Sequence, residues 1–183
     1  MATPEQIAPV PLQELLADPA LATEWSLDSS RSTVSLHNRS IWGLARVNGV
    51  FRHVTGGAAV SPTGEVTGAI TVAAASIDTK NSRRDKHLRS ADFFDCDNYP
   101  DITFTCEGIR PSGDVVSVSG ILSVRDRARP MTFDAAAAVR GDCEVWLDAT
   151  VHINRADFGL TWNLMGLVAM NNSLTIRAVF TSR

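Results

Sequence analysis

From residue 25 onward, apolar and polar positions alternate with a period of two. Val34 and Leu36 begin the pattern, Val116, Val118, Leu122 and Val124 repeat it, and Met131 and Phe133 follow. Val145, Leu147, Val151 and Ile153, then Leu174, Ile176 and Phe180, carry it to the end of the chain. A period of two sends successive side chains to opposite faces, so these runs predict strands with one apolar and one wet face. Turn formers separate them at Asn48-Gly49, Gly56-Gly57, Pro62-Thr63-Gly64, Ser112-Gly113-Asp114 and Gly141-Asp142. Helical signals are short and confined to the start, to 83–94 and to 155–160, which argues against a parallel βαβ sheet. So many short antiparallel strands escape exposed edges when the sheet closes on itself. The pattern therefore predicts an all-β fold, an antiparallel up-and-down barrel of about eight strands.

Two stretches break the alternation. Leu12, Leu15 and Leu16 share one face of a short helix that ends before Pro19, after a Pro-rich start, and form an N-terminal extension over 1–24. The barrel domain then occupies 25–183. The second break is SIDTKNSRRDKHLRSADFFDCDNYPDITF, Ser76 to Phe104. There a β run closes, TKNS offers turn formers and N-caps, and RRDKHLRSADFF predicts a short helix with Leu88 close to Phe93 and Phe94. Pro100 ends the excursion by biasing Tyr99 away from helix, and Ile102, Phe104 and Cys106 resume the period of two.

Composition narrows the function classes. The 183 residues suffice for one domain with a sizeable core, and a net charge of −3 with mixed signs gives no basic footprint for nucleic acid. The three cysteines include no C-x-x-C pair and suggest neither a disulfide framework nor a zinc site, so isolated thiols are expected, with a Cys96–Cys106 bridge as the alternative. The first 25 residues have no positive n-region and no apolar h-region, and no apolar run reaches about 18 residues. The expectation is a cytoplasmic chain without stable membrane insertion. The histidines at 37, 53, 87 and 152 lack metal-ligand spacing, and no G-x-S-x-G, P-loop or G-x-G-x-x-G is present, so neither a metal nor catalysis is expected.

An eight-stranded barrel is at the size where side chains either fill the interior or leave room for one small ligand. Ala69 to Ala75 and Ala135 to Ala138 place small groups on both faces of their strands, which leaves volume to be filled. Either a ligand chain occupies it, or facing aromatic side chains and the N-terminal helix on the outer wall do. An interior of Val, Leu, Ile, Phe and Met suits a long hydrocarbon, whereas a sugar or nucleotide would leave polar groups unpaired. Trp42, Leu44, Phe51, Phe104, Phe133, Phe158, Trp162, Leu164 and Met165 are the large apolar groups placed by pattern to line a cavity or its mouth, or to serve as ordinary core. Arg84 and His87 lie in the densest charge cluster, with Arg83, Asp85 and Arg89. These residues either hold a ligand's polar head or fix the helical rim, and Arg155, beside Asp157, presents the same choice.

The Ser76–Phe104 segment resembles the hallmark of the YceI-like family, the lipocalin-like polyisoprenoid-binding proteins: Ser-Ile-Asp-Thr, Arg-Asp-x-His-Leu-Arg-Ser, Asp-Phe-Phe-Asp and Tyr-Pro-x-Ile-x-Phe. WSLDSSRSTVSL resembles the family's opening strand, and GVFRHVTG, GILSVRDRARPMTF and INRADFGL resemble its later elements, in order from Trp25 to Phe180. The resemblance implies a lipocalin-like barrel and non-enzymatic binding, storage or transport of a polyisoprenoid or isoprenoid quinone as ligand, with no cofactor. It leaves room for a homodimer, although no heptad marks an interface here. The alternatives are a filled barrel acting as a stress-related interaction module and, more weakly, an enzyme acting on a bound hydrophobic substrate, with His87 and Cys96 as its candidates. The chain departs from the pattern where the family's His-Ser is Arg31-Ser32, its Arg-His is Arg39-Ser40 and its Arg-Gly is Arg125-Asp126, so no histidine-dependent contact carries over at those positions.

Overall fold

The computed structural model describes residues 12, 16, 23–40, 45–140, 143–163 and 168–182. Its strands are β1 (Glu24–Leu27), β2 (Thr33–Ser40), β3 (Ala45–Phe51), β4 (Val54–Val60), β5 (Val66–Ala73), β6 (Ile77–Asp78), β7 (Asp101–Ser112), β8 (Val115–Val124), β9 (Arg127–Val139), β10 (Glu144–Asn154) and β11 (Asn171–Ser182). The helix α1 covers Ser82–Arg89 in the connection from β6 to β7. Every pairing is antiparallel, and β1 bonds to both β4 and β11, which closes the ring. The eleven segments occupy eight barrel positions, because β1/β2, β3/β4 and β5/β6 are each one strand broken at a corner.

Two of the three corners have a clear local cause. Between β1 and β2, the Asp28 carboxylate accepts from the backbone N–H and hydroxyl of Ser30 and pairs with Arg31 at 2.6 Å. The buried Ser32 hydroxyl then accepts the amide of Val179 at 3.0 Å, tying the corner to β11. Between β5 and β6, a 3-10 turn at Ala74–Ser76 is pinned by the Ser76 hydroxyl on the Ala73 carbonyl. The departure from the family pattern at Arg31-Ser32 is thus built into this corner.

Alternation is cleanest in β8, where Val116, Val118, Gly120, Leu122 and Val124 are all buried and the residues between them are not. The helical insertion forms as its residue types dictate. Asn81 caps α1 by accepting the Arg84 amide at 3.0 Å, and the buried Asp85 carboxylate accepts from both the amide and the hydroxyl of Thr79. Arg89 donates to the Ile77 carbonyl, and Phe93 and Phe94 pack edge to face, 5.0 Å between centroids, beneath the exit turn. Arg125, at φ 55° in the β8–β9 turn, donates to the Phe93 carbonyl and locks the insertion to the barrel. All three cysteines are free, so the Cys96–Cys106 bridge does not form.

The antiparallel register sorts the turns between two ends. The α1 insertion, the Arg125-Asp126 turn and the 3-10 turn Arg155–Phe158 lie at the end where β11 begins. The β4–β5 and β7–β8 turns lie where β11 finishes, beside β1. No described helix is long and apolar enough to cross a membrane.

Candidate functional site

Between these two ends the barrel is hollow. Its lumen offers about 220 Å³ to the centre of a water-sized sphere, and every lining residue except Thr67, Arg155 and Asn172 is apolar or glycine. Of the alanines in the runs Ala69 to Ala75 and Ala135 to Ala138, Ala69 and Ala135 face this space, and Ala149, Ala178, Gly57 and Gly68, which lie outside those runs, face it too. The barrel is therefore not filled by its own side chains.

Of the large apolar residues singled out from the sequence, Phe51, Phe104, Phe133 and Phe158 are in the wall. The Phe104 ring on β7 and the Phe133 ring on β9 meet at a tilt, 5.4 Å between centroids, across the intervening β8. The Phe104 ring lies over Gly120, where a Cβ would clash with the Thr105 carbonyl oxygen and come within 2.7 Å of the ring, so a larger residue at that position would force the β7 backbone to move. Trp162 is not in the wall. It stands on the rim, 38% exposed, with its ring 4.2 Å from that of His87. Trp42, Leu44, Leu164 and Met165 lie outside the described residues.

The three polar candidates separate in space. Arg84 spends its guanidinium on the hydroxyl and carbonyl of Thr79 and does not reach the lumen. His87 packs between Trp162 and Phe93, with Nε2 buried and without a partner, and also lies outside the wall. Arg155 alone joins the lumen, where it is 2% exposed. Its side chain donates to the carbonyls of Leu160, Trp162, Val168 and Ala169, folding the segment between β10 and β11 around itself. A guanidinium has five N–H donors. Among the described residues these four contacts leave one without an acceptor, and no carboxylate lies within ion-pair distance. Burial without a counter-charge pulls the Arg155 pKa below the ordinary arginine value.

The sequence reading missed other wall residues. Trp25, Phe93, Phe94 and Leu160 all line the lumen, and Asn172 stands near Arg155 with its side-chain oxygen accepting from Asn38. The inward period of β1 signals Trp25, since Trp25 and Leu27 are buried while Glu24 and Ser26 are not. The indole N–H of Trp25 is buried without an acceptor among the described residues. No group of acidic, histidine or cysteine side chains among the described residues has the geometry of a metal site.

A closed antiparallel barrel with one apolar lumen and a cation at one end defines a lipocalin-like binding architecture. The YceI-like domain model matches residues 25–181, and the chain belongs to this family. Among curated relatives, Protein YceI of Shigella flexneri is 38% identical over 73 residues, 40% of this chain and 38% of that protein. Protein YceI of Salmonella arizonae is 33% identical over 101 residues, covering 52% of each chain. The matched region thus spans about two-fifths to half the length of these relatives. Among solved structures, Burkholderia cenocepacia BcnA superposes with a TM-score of 0.75 at 22% identity, covering 84% of this chain and 98% of that one. A polyisoprenoid binding domain from Saccharophagus degradans superposes with a TM-score of 0.72 at 16% identity, covering 87% and 98%. At these identities the likeness is one of fold.

Proposed function

We propose that the lumen holds the tail of a long-chain isoprenoid lipid or polyprenyl quinone, and that the protein stores or carries it without chemical change. The observation that carries this reading is the continuous apolar wall with a single buried cation at one end. Burial is worth about 0.8 kcal/mol per methylene, so a tail filling the lumen outweighs the freedom lost on capture. Asn172 and Phe180 both line the lumen from the same strand. Eight residues of strand rise about 27 Å, or roughly 21 Å along the axis of a barrel with ordinary strand tilt, and that sets the tail length accommodated. In this reading a quinone carbonyl, hydroxyl or phosphate oxygen lies at the Arg155 end of the lumen, while Phe51, Phe104, Phe133 and Phe158 contact the tail. The S. degradans neighbour, a polyisoprenoid binding domain of the same fold, supports this class of ligand. In this reading 25–183 is the binding domain and 1–24 its extension.

The test is titration with a polyprenyl quinone, followed by quenching of the lumenal Trp25, on the native chain and on Ala149→Trp, which puts an indole into the lumen. Saturable binding of one quinone per chain, weakened at least about tenfold by the blocking substitution, supports the proposal. Equal binding by both chains refutes it.

A further inference from the structure

The family match begins at residue 25, yet two residues before it, Leu12 and Leu16, line the lumen. Both are helical and four positions apart, which puts them on one helix face. Leu12 is only 7% exposed and belongs to the buried core. The backbone fixes where they sit. The Leu16 carbonyl lies where a Cβ on Gly64 would be, 2.6 Å away, and Gly64 turns the β4–β5 hairpin at φ +80°. That hairpin is at the end of the barrel opposite Arg155, next to β1 and Trp25. A glycine there both makes the turn and leaves room for the leucine backbone to settle on it.

We infer that Leu12 and Leu16 form the floor of the lumen and set the longest tail that it accepts. This rests on the lipid-binding reading and adds a specificity determinant from outside the family domain. With the polar head at Arg155, a tail runs towards Trp25 and meets the two leucine side chains. Tail carbon beyond that point has no apolar wall to enter and gains nothing by binding. The extension then acts as a length gauge. The Leu12 and Leu16 side chains meet the tail with the same chemistry as the rest of the wall.

The experiment is a competition series in which polyprenyl quinones with one head group and stepwise longer tails displace a labelled short-tail quinone. The full chain, Leu12→Ala/Leu16→Ala and Leu12→Trp are compared. In the native chain, affinity rises with tail length and then stops rising. The double alanine variant extends the rise, binding the first tail beyond the native limit about tenfold more tightly than the native chain does, and Leu12→Trp ends the rise at a shorter tail. An unchanged length limit in both variants overturns the inference while leaving lipid binding intact. A native chain that takes up no tail of any length overturns the lipid-binding reading itself, and this inference with it. If the double alanine variant does not fold, the Leu12→Trp limit decides alone.

Discussion

Replacing Ala135 by leucine separates a hollow barrel from a filled one by the sign of the stability change. Ala135 is 3% exposed, sits on β9 and faces the lumen. In a close-packed interior, an added isopropyl group forces neighbours off their rotamers and costs about 1–3 kcal/mol. In this lumen the added carbons move into empty space, bury apolar area at about 0.8 kcal/mol each and lose roughly 0.5–1 kcal/mol of rotamer freedom. With three added carbons, the net expectation is a gain of about 1.5–2 kcal/mol in lipid-free protein. Ala74 supplies the control, since it is 1% exposed, packs in the core and is absent from the lumen wall. Ala74→Leu has no space to enter and loses about 1–3 kcal/mol. Urea unfolding of delipidated native and variant chains reads both values, provided the slopes remain equal. Destabilisation by Ala135→Leu comparable with that of Ala74→Leu refutes the hollow lumen.

The same structure has other measurable consequences. Arg155→Met leaves the carbonyls of Leu160, Trp162, Val168 and Ala169 without their shared donor and is expected to cost about 3–5 kcal/mol in urea unfolding, whereas a loss under 1 kcal/mol would show that water satisfies them. The hydrogen bonds from Ser30 and Arg31 lower the Asp28 pKa from 3.8 to about 2. A carboxylate with a depressed folded pKa stabilises fully above its unfolded value, and that contribution fades as pH falls through about 4 towards 2, so Asp28→Asn should flatten the acid limb of stability measured across this window. Burial raises the thiol pKa of Cys96 and of Cys106, while Cys143 is exposed. A thiol reagent at pH 8 should therefore label Cys143 first and the other two only on unfolding, and equal rates in the native protein would contradict their placement.

The architecture was largely legible because its signals are local. The period of two in Val116, Val118, Leu122 and Val124 is the burial pattern of β8, and the turns at Pro62-Thr63-Gly64 and Ser112-Gly113-Asp114 join the strands expected, whereas Asn48-Gly49 and Gly56-Gly57 are not turns but lie within β3 and β4. The insertion was equally readable, since Asn81 caps a helix that Asp85 anchors. The site was less so. A two-residue period assigns a residue to a face, but which residues on that face border empty space depends on what stands opposite, and opposite strands are remote in sequence. Phe51, Phe104, Phe133 and Phe158 reach the lumen whereas Trp162 stacks on His87 at the rim, and nothing in their spacing distinguishes them. Arg84 and Arg155 looked alike as candidates for a polar head. The fold separates them by giving Arg84 a local partner in Thr79 and burying Arg155 among carbonyls brought in by a loop. Likewise the short leucine stripe of the extension signals a helix face without saying that the face looks into the barrel rather than onto its outer wall.

The most direct test is mass spectrometry of the purified full chain, under native conditions and after organic extraction. The account predicts an adduct of one isoprenoid lipid per chain, recovered in the extract and missing from Ala149→Trp. A chain that carries no stoichiometric lipid and fails to take up an added polyprenyl quinone would contradict it.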